Sequence, residues 1–419
     1  MSVWVGVALA GALALATISS ALPWRGRGRL VPYLMLLVAA AGVSLVLTAS
    51  LAHHPPSPLL VVGRLGGLSL DRLSLGVLVG GWSALLLGIG VARRTGTSGG
   101  TLGTAVGIGV IACLALLVTG LLPLLLLLAL MSAVLWVRWQ RVAGPLLAIR
   151  SLGRQSALLL CALVAAAAVV PSQRIGAAPA ALAGMLVVGG LGGVAGLIPL
   201  SSWVGAVSKL TSAEAAPWRV WLVPVAIVAI ARVMVSGPTS LTQVMQMLLV
   251  GLGLATAIFW GCAGFWAEPS TRYWRVLQAD VGFMCVGVGS GDLQGLAAAL
   301  LLILVHWLAG AALGEPRGAR SHLLAWVGLS GVPPFGGFTG RLLTVVGATF
   351  LGPVVVGLLL LGFGLQLAAC GAGAREAVRR AAARGPQLSE LAGLAAGVAA
   401  LGIGLVGGPI LQLAFGLRL

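Results

Sequence analysis

The chain has 419 residues, 59% of them apolar and only 8% charged, with a mean hydropathy of +1.11. A soluble domain carries about 25% charged residues, so this composition cannot make an aqueous surface, and lipid must be the solvent for most of it. The net charge of +17 does not indicate nucleic acid: the arginines punctuate apolar runs, whereas phosphate binding needs a continuous basic face.

A membrane-crossing helix needs about 20 apolar residues, and the pattern predicts about fourteen of them. They fall at about 2–22, 30–52, 73–92, 103–119, 121–137, 155–172, 181–203, 218–236, 240–266, 276–290, 293–313, 321–350, 352–374 and 391–416. No basic segment precedes residues 2–22, which therefore read as a first span and not as a cleaved signal. Backbone in lipid must satisfy its own polar groups, so these segments are helices. The expected fold class is all-α integral membrane, with almost nothing outside the bilayer. Loops after odd-numbered spans hold 19 of the 25 basic residues, from Arg25 through Lys209 and Arg272 to Arg384. The positive-inside rule then makes those loops cytoplasmic and both termini external, periplasmic in a bacterium, in a plasma or inner membrane.

Several features have plain readings. Cys113, Cys161, Cys262, Cys285 and Cys370 lie in apolar runs without metal-ligand spacing, as small hydrophobes do. Neither a disulfide, a metal nor a cofactor is expected. Glycine is abundant, at 63 residues, and the run Gly189–Gly193 lies mid-span with no strand before it. It reads as close helix packing, not as a nucleotide loop. His53 and His54 are adjacent in a loop and cannot readily face one metal. The basic stretch from Arg375 to Arg384 is a topology signal that can also meet anionic lipid.

Two predicted spans carry helix breakers in their middle: Gly196-Leu197-Ile198-Pro199 and Gly331-Val332-Pro333-Pro334. Proline removes a backbone donor and clashes with the preceding turn. Paired broken helices point to ion or substrate pathways. The ionisable residues within spans are Asp280, His306 and Arg341, with His322 near a span start, and such residues are functional candidates by default. The alternative for Asp280 is a partner for Arg275 or a place at a helix end. For His306 it is a buried imidazole hydrogen-bonded between helices.

The stretch Ser330-Gly331-Val332-Pro333-Pro334-Phe335-Gly336-Gly337-Phe338-Thr339-Gly340-Arg341 resembles the "S-x-x-G-I-P-P-x-x-G-F-x-G-K" helix of antiporter-like subunits. These are large membrane subunits of respiratory complex I, of membrane-bound hydrogenases and of Mrp-type cation/proton antiporters. Ile198-Pro199-Leu200-Ser201-Ser202-Trp203 with Glu214-Ala215-Ala216-Pro217, Leu70-Asp71-Arg72-Leu73-Ser74, and the segment from His306 to Leu313 resemble further motifs of that family, in its order. The resemblance covers most of residues 70–375. It implies two inverted repeats containing broken helices. The expected organisation is 1–102 N-terminal helices, 103–236 first repeat, 237–375 second repeat and 376–419 a loop with the last helix.

The departures weigh as much. The family moves protons through buried lysines, a glutamate and histidines. Here Met131 stands for the glutamate, Val194 for the lysine of the first broken helix and Gly310 for the lysine after His306. The eighth-span lysine has no counterpart, since Arg232 matches a terminal arginine. Gln366 matches the last polar position, and Asp280 matches a histidine. A proton relay needs groups whose protonation can change; Met, Val and Gly cannot, and arginine stays charged. The resemblance therefore implies a subunit of a complex-I-like or hydrogenase-like assembly with other membrane subunits and lipid as partners. It contributes at most a non-redox part to a translocase. The proton path is expected to be weakened, leaving either a scaffold or half of a path completed by a neighbour. The alternative is a carrier acting alone or with one soluble partner, as in inorganic-carbon uptake.

Overall fold

The computed structural model describes residues 99–118, 121–143, 177–314 apart from 202, 209 and 211, 319–382, and 394–404 apart from 401, with isolated positions between 74 and 85 and residue 162. The first two predicted spans, Asp71, Lys209, Cys161 and the His53–His54 pair lie outside the described residues.

Every element in the described residues is helical. In chain order they are α1 (Gly99–Leu117), α2 (Leu121–Ala143), α3 (Ala177–Ala195), α4 (Val204–Val207) and α5 (Ser212–Pro217). A π-helical turn (Trp218–Leu222) leads into α6 (Val223–Ser236), followed by α7 (Thr239–Phe265), α8 (Pro269–Ser290) and α9 (Leu293–Leu313). The last are α10 (Ala319–Leu329), α11 (Gly336–Gly347) and α12 (Pro353–Ala382), with helix again at 394–400 and 402–404. Five of the described segments are long and apolar enough to cross a membrane.

The differences from the sequence pattern have local causes. The span expected at 276–290 begins at Pro269, whose fixed φ suits a first helical turn. Arg272 and Arg275 had depressed the hydropathy there. The span at 321–350 is divided into α10 and α11, as the breaker at Gly331–Pro334 leads one to expect, whereas the one expected at 352–374 runs on to Ala382 through a charged turn. Cys262 lies on an exposed face of α7, while Cys113, Cys285 and Cys370 are buried.

The least apolar long helix, α8, is buried almost all round, with α6, α7, α9, α11 and α12 packed against it. The very apolar α9 is buried nearly as fully. Among the described residues, large apolar side chains are exposed on α2 (Leu126), α3 (Leu182 and Met185), α7 (Met247 and Phe259) and α12 (Val354, Leu360 and Leu361). Apolar side chains on that surface suit hydrocarbon, while Gln278, Asp280, His306, Arg341 and Gln366 are buried inside.

The two interruptions are built alike. After α3 the chain turns at Gly196 (φ +98°), and after α10 at Gly331 (φ +78°). An L side chain is strained in that region, which is why each break begins with glycine. Prolines follow at Pro199 and at Pro333–Pro334 and stop the helix from resuming at once. Groups freed by the breaks find protein partners. Ile198 N–H donates to Thr256 Oγ1 (3.0 Å), Trp203 Nε1 donates to the Gly193 carbonyl (3.0 Å), and Val332 N–H donates to Ser330 Oγ (3.3 Å). Thr256→Val keeps the shape of that side chain but leaves the Ile198 N–H without its acceptor. It should lower stability by about 1–3 kcal/mol, read as a lower thermal midpoint in detergent; an unchanged midpoint would show that the bond is dispensable.

Candidate functional site

Three helices meet at a buried cluster. Asp280 comes from the middle of α8, His306 from α9, and Arg341 from the second turn of α11, just past the second break. The approach of α11 to α9 is close because Gly340 faces it: a Cβ there would lie 2.7 Å from Leu302 Cγ. Small residues at helix contacts in membranes serve this purpose.

Arg341 Nε donates to Asp280 Oδ1 and Arg341 Nη2 to Asp280 Oδ2, both at 2.8 Å, in the paired geometry that guanidinium and carboxylate favour. His306 Nε2 lies 2.7 Å from the same Oδ2 and donates its proton there. Asp280 and Arg341 are fully buried and His306 is 1% exposed. Tyr273 sits beside the histidine, its hydroxyl donating to the His306 carbonyl at 3.1 Å. Arg341 also lies near the Phe363 ring, 5.7 Å from its centroid.

The chemistry follows from what each group can change. Arginine holds a fixed charge, and both carboxylate oxygens of Asp280 are engaged. His306 is the member with a second ring nitrogen left over after its bond to the carboxylate. Its Nδ1 is buried and has no hydrogen-bond partner among the described residues.

No protein-family model matches the chain, and no curated protein does. Solved structures match along nearly its whole length. A chain of respiratory complex I from Thermus thermophilus with bound aureothin superposes at a TM-score of 0.78, with 20% identity over 97% of this chain and 98% of that one. The fold is that of the antiporter-like membrane subunits. A chain of the Mrp complex from Dietzia sp. DQ12-45-1b gives 0.80, with 19% identity over 98% of this chain and 51% of that one. A chain of a membrane-bound sulfane sulfur reductase, an archaeal respiratory membrane complex, gives 0.76 at 16% identity, over 94% of this chain and 74% of that one.

Within the antiporter-like fold, the structure brings together Asp280, His306 and Arg341, all three named from sequence. It corrects the alternative for Asp280: Arg275 donates to the Ala263 carbonyl (2.8 Å), and Asp280 lies mid-helix. For His306 the hydrogen bond between helices is present, and its partner is the carboxylate. Pro199, Pro333 and Pro334 stand in the breaks, while Glu214 is on α5. Met131 and Val194 are buried apolar residues. Gln366 donates from Nε2 to the Val276 carbonyl at 3.0 Å.

Two residues were missed. Gln278 is fully buried on α8, both amide atoms lack partners among the described residues, and the side chain abuts Gly196 of the first break. Arg219, counted with the loop arginines although it falls at the start of the predicted 218–236 span, is buried in the π-helical turn. Its Nη1 donates to the Gly310 carbonyl at 3.1 Å, and its guanidinium fills the space that a side chain at 310 would take. The one signal for it was the glycine itself, which leaves room opposite a helix start.

Proposed function

We propose that this chain is a membrane subunit of a complex-I-like, proton-translocating assembly, with a degenerate proton path of its own and a largely structural role. The observation that supports this most is the Asp280–His306–Arg341 cluster. A carboxylate bonded at both oxygens to a permanently charged guanidinium is poorly suited to pass protons. It is well suited to tie α8, α9 and α11 together. Met131 and Val194, which stand where the resemblance puts the family's glutamate and lysine, are buried and carry nothing that titrates. The fourteen-span count, the two inverted repeats, the plasma-membrane location and the external termini belong to the same reading. They are supported by the arginine distribution and by the matching construction of the two breaks.

The subunit reading expects this chain to co-purify in mild detergent with further membrane subunits. His306→Ala should leave most proton translocation per turnover in the assembled complex. If the chain reconstituted alone carries rapid proton or sodium flux, and both Asp280→Asn and His306→Ala abolish it, the structural role is wrong. A second reading, a carrier working alone or with one soluble partner, is favoured by one observation. A cavity at one end of the bundle reaches Tyr273, whose hydroxyl touches the His306 carbonyl. A stable monomer, or a pair with one soluble protein, would select it.

A further inference from the structure

That cavity has a volume of about 510 Å³, within the range that suits small ligands. Its deepest charged groups are Arg219, from the π-helical turn, and Arg272, from the first turn of α8, 4% and 9% exposed. Among the described residues neither is in a salt bridge. Arg219 Nη1 donates to the Gly310 carbonyl, and Arg272 donates from Nη2 to the Ala267 carbonyl (2.6 Å) and from Nε to that of Gly264 (3.4 Å). Arg219 Nε is buried without a hydrogen-bond partner among the described residues, and the guanidinium lies 5.9 Å from the centroid of the Tyr273 ring.

The acidic lining groups lie farther out. Glu268 is exposed at the start of α8, and Glu376 is half-buried and bonded to the exposed Arg380 at 3.1 Å, its charge also favouring that of Arg272, so Arg219 is the guanidinium left without a counter-anion among the described residues. His322 of α10 lines the same space. The floor is therefore cationic and the rim mixed. Buried guanidinium without a counter-anion is costly, and its fork matches the oxygens of a phosphate. Trp274 and Trp326 form part of the wall, and tryptophan belongs at headgroup level. The opening lies on the side where the loop arginines predict the cytoplasm, the leaflet in which anionic lipid gathers basic residues.

We propose that this cavity is a phosphate-class anion site seated on Arg219 and Arg272, filled by the headgroup of an anionic phospholipid or by a free phosphate-class anion. The site does not depend on the role proposed above. It is tested on delipidated protein in maltoside detergent, titrated separately with phosphatidylglycerol, phosphatidylcholine and inorganic phosphate, with bound species counted by native mass spectrometry. Saturable retention of phosphatidylglycerol but not phosphatidylcholine is expected, weakened roughly tenfold or more in Arg219→Gln. The exposed Arg379→Gln on α12 should leave it unchanged. Inorganic phosphate that binds saturably and displaces the lipid would assign the site to a free anion; lipid binding without that competition assigns it to the headgroup. Gly310→Ala is the second variant. Its Cβ would lie 2.5 Å from Arg219 Cδ and Nε, so it shifts the guanidinium without removing the charge, and it too should weaken binding. Absence of saturable binding by either probe, or binding indifferent to both variants in folded protein, overturns the proposal.

Discussion

Asp280→Ala is expected to cost roughly 3–5 kcal/mol of stability, the range for breaking one side of a buried ion pair. The substitution strands the Arg341 guanidinium, fully buried, with no other carboxylate in the described salt bridges to receive it. It also removes the acceptor of His306 Nε2. Three helices lose their common tie in one change. The measurement is the thermal midpoint of detergent-purified protein, together with the folded yield from membranes. A combined variant separates a tie from a conductor. Replacing Asp280 with Leu, His306 with Leu and Arg341 with Met fills similar volume with apolar groups and strands no charge. Exchanges of that kind are often neutral or stabilising. A purely architectural cluster should therefore regain most of the stability, and the subunit should assemble. If the triple variant is stable and assembles yet the complex loses proton translocation, the cluster conducts and the structural role falls. Asp280→Ala as stable as the parent would remove the ion pair from any account of the fold.

The frame was legible in sequence because lipid leaves so few choices. Apolar length gave the helices, and the two Gly-Pro segments gave the breaks, since Pro199 and Pro333–Pro334 forbid a continuous ladder. The members of the cluster were legible as well, because an ionisable residue within a span is rare. Their mutual contact was not. Asp280 and Arg341 are 61 residues apart, and nothing in either helix says which face meets which. The same limit explains the two misses. Gln278 lies two residues from Asp280 on α8, so the two side chains leave the helix on opposite sides. One meets the first break at Gly196, and the other reaches the arginine that follows the second break. Arg219 was counted among the loop arginines because the rule that orients a span sorts charges by position along the chain, and burial is invisible to it. The π-helical turn, which carries Trp218 to Leu222 inward, has no sequence signature beyond the proline before it.

That α8 serves both breaks suggests how tightly the second is coupled to the cluster, and Gly331→Ala measures it. Two costs are expected. The backbone at Gly331 has φ +78°, where an L side chain costs about 1–2 kcal/mol. The added Cβ would also meet Phe363 and would lie 2.7 Å from Arg341 Nη1. Crowding of that kind costs about 1–3 kcal/mol in a packed interior. Gly291 supplies the control: its φ is +73°, and a Cβ there meets nothing within 4 Å. Gly291→Ala therefore carries the backbone cost alone. The thermal midpoint should fall further for Gly331→Ala than for Gly291→Ala, and the difference reports the contact with the cluster. In the triple apolar variant the guanidinium is gone, so that difference should shrink to what Phe363 alone imposes. Equal effects of the two glycine substitutions in the parent would show that the break and the ion pair are independent. A difference that persists undiminished in the triple variant would place the whole constraint on the Phe363 ring, leaving Arg341 tied to Asp280 but not to the turn that delivers it.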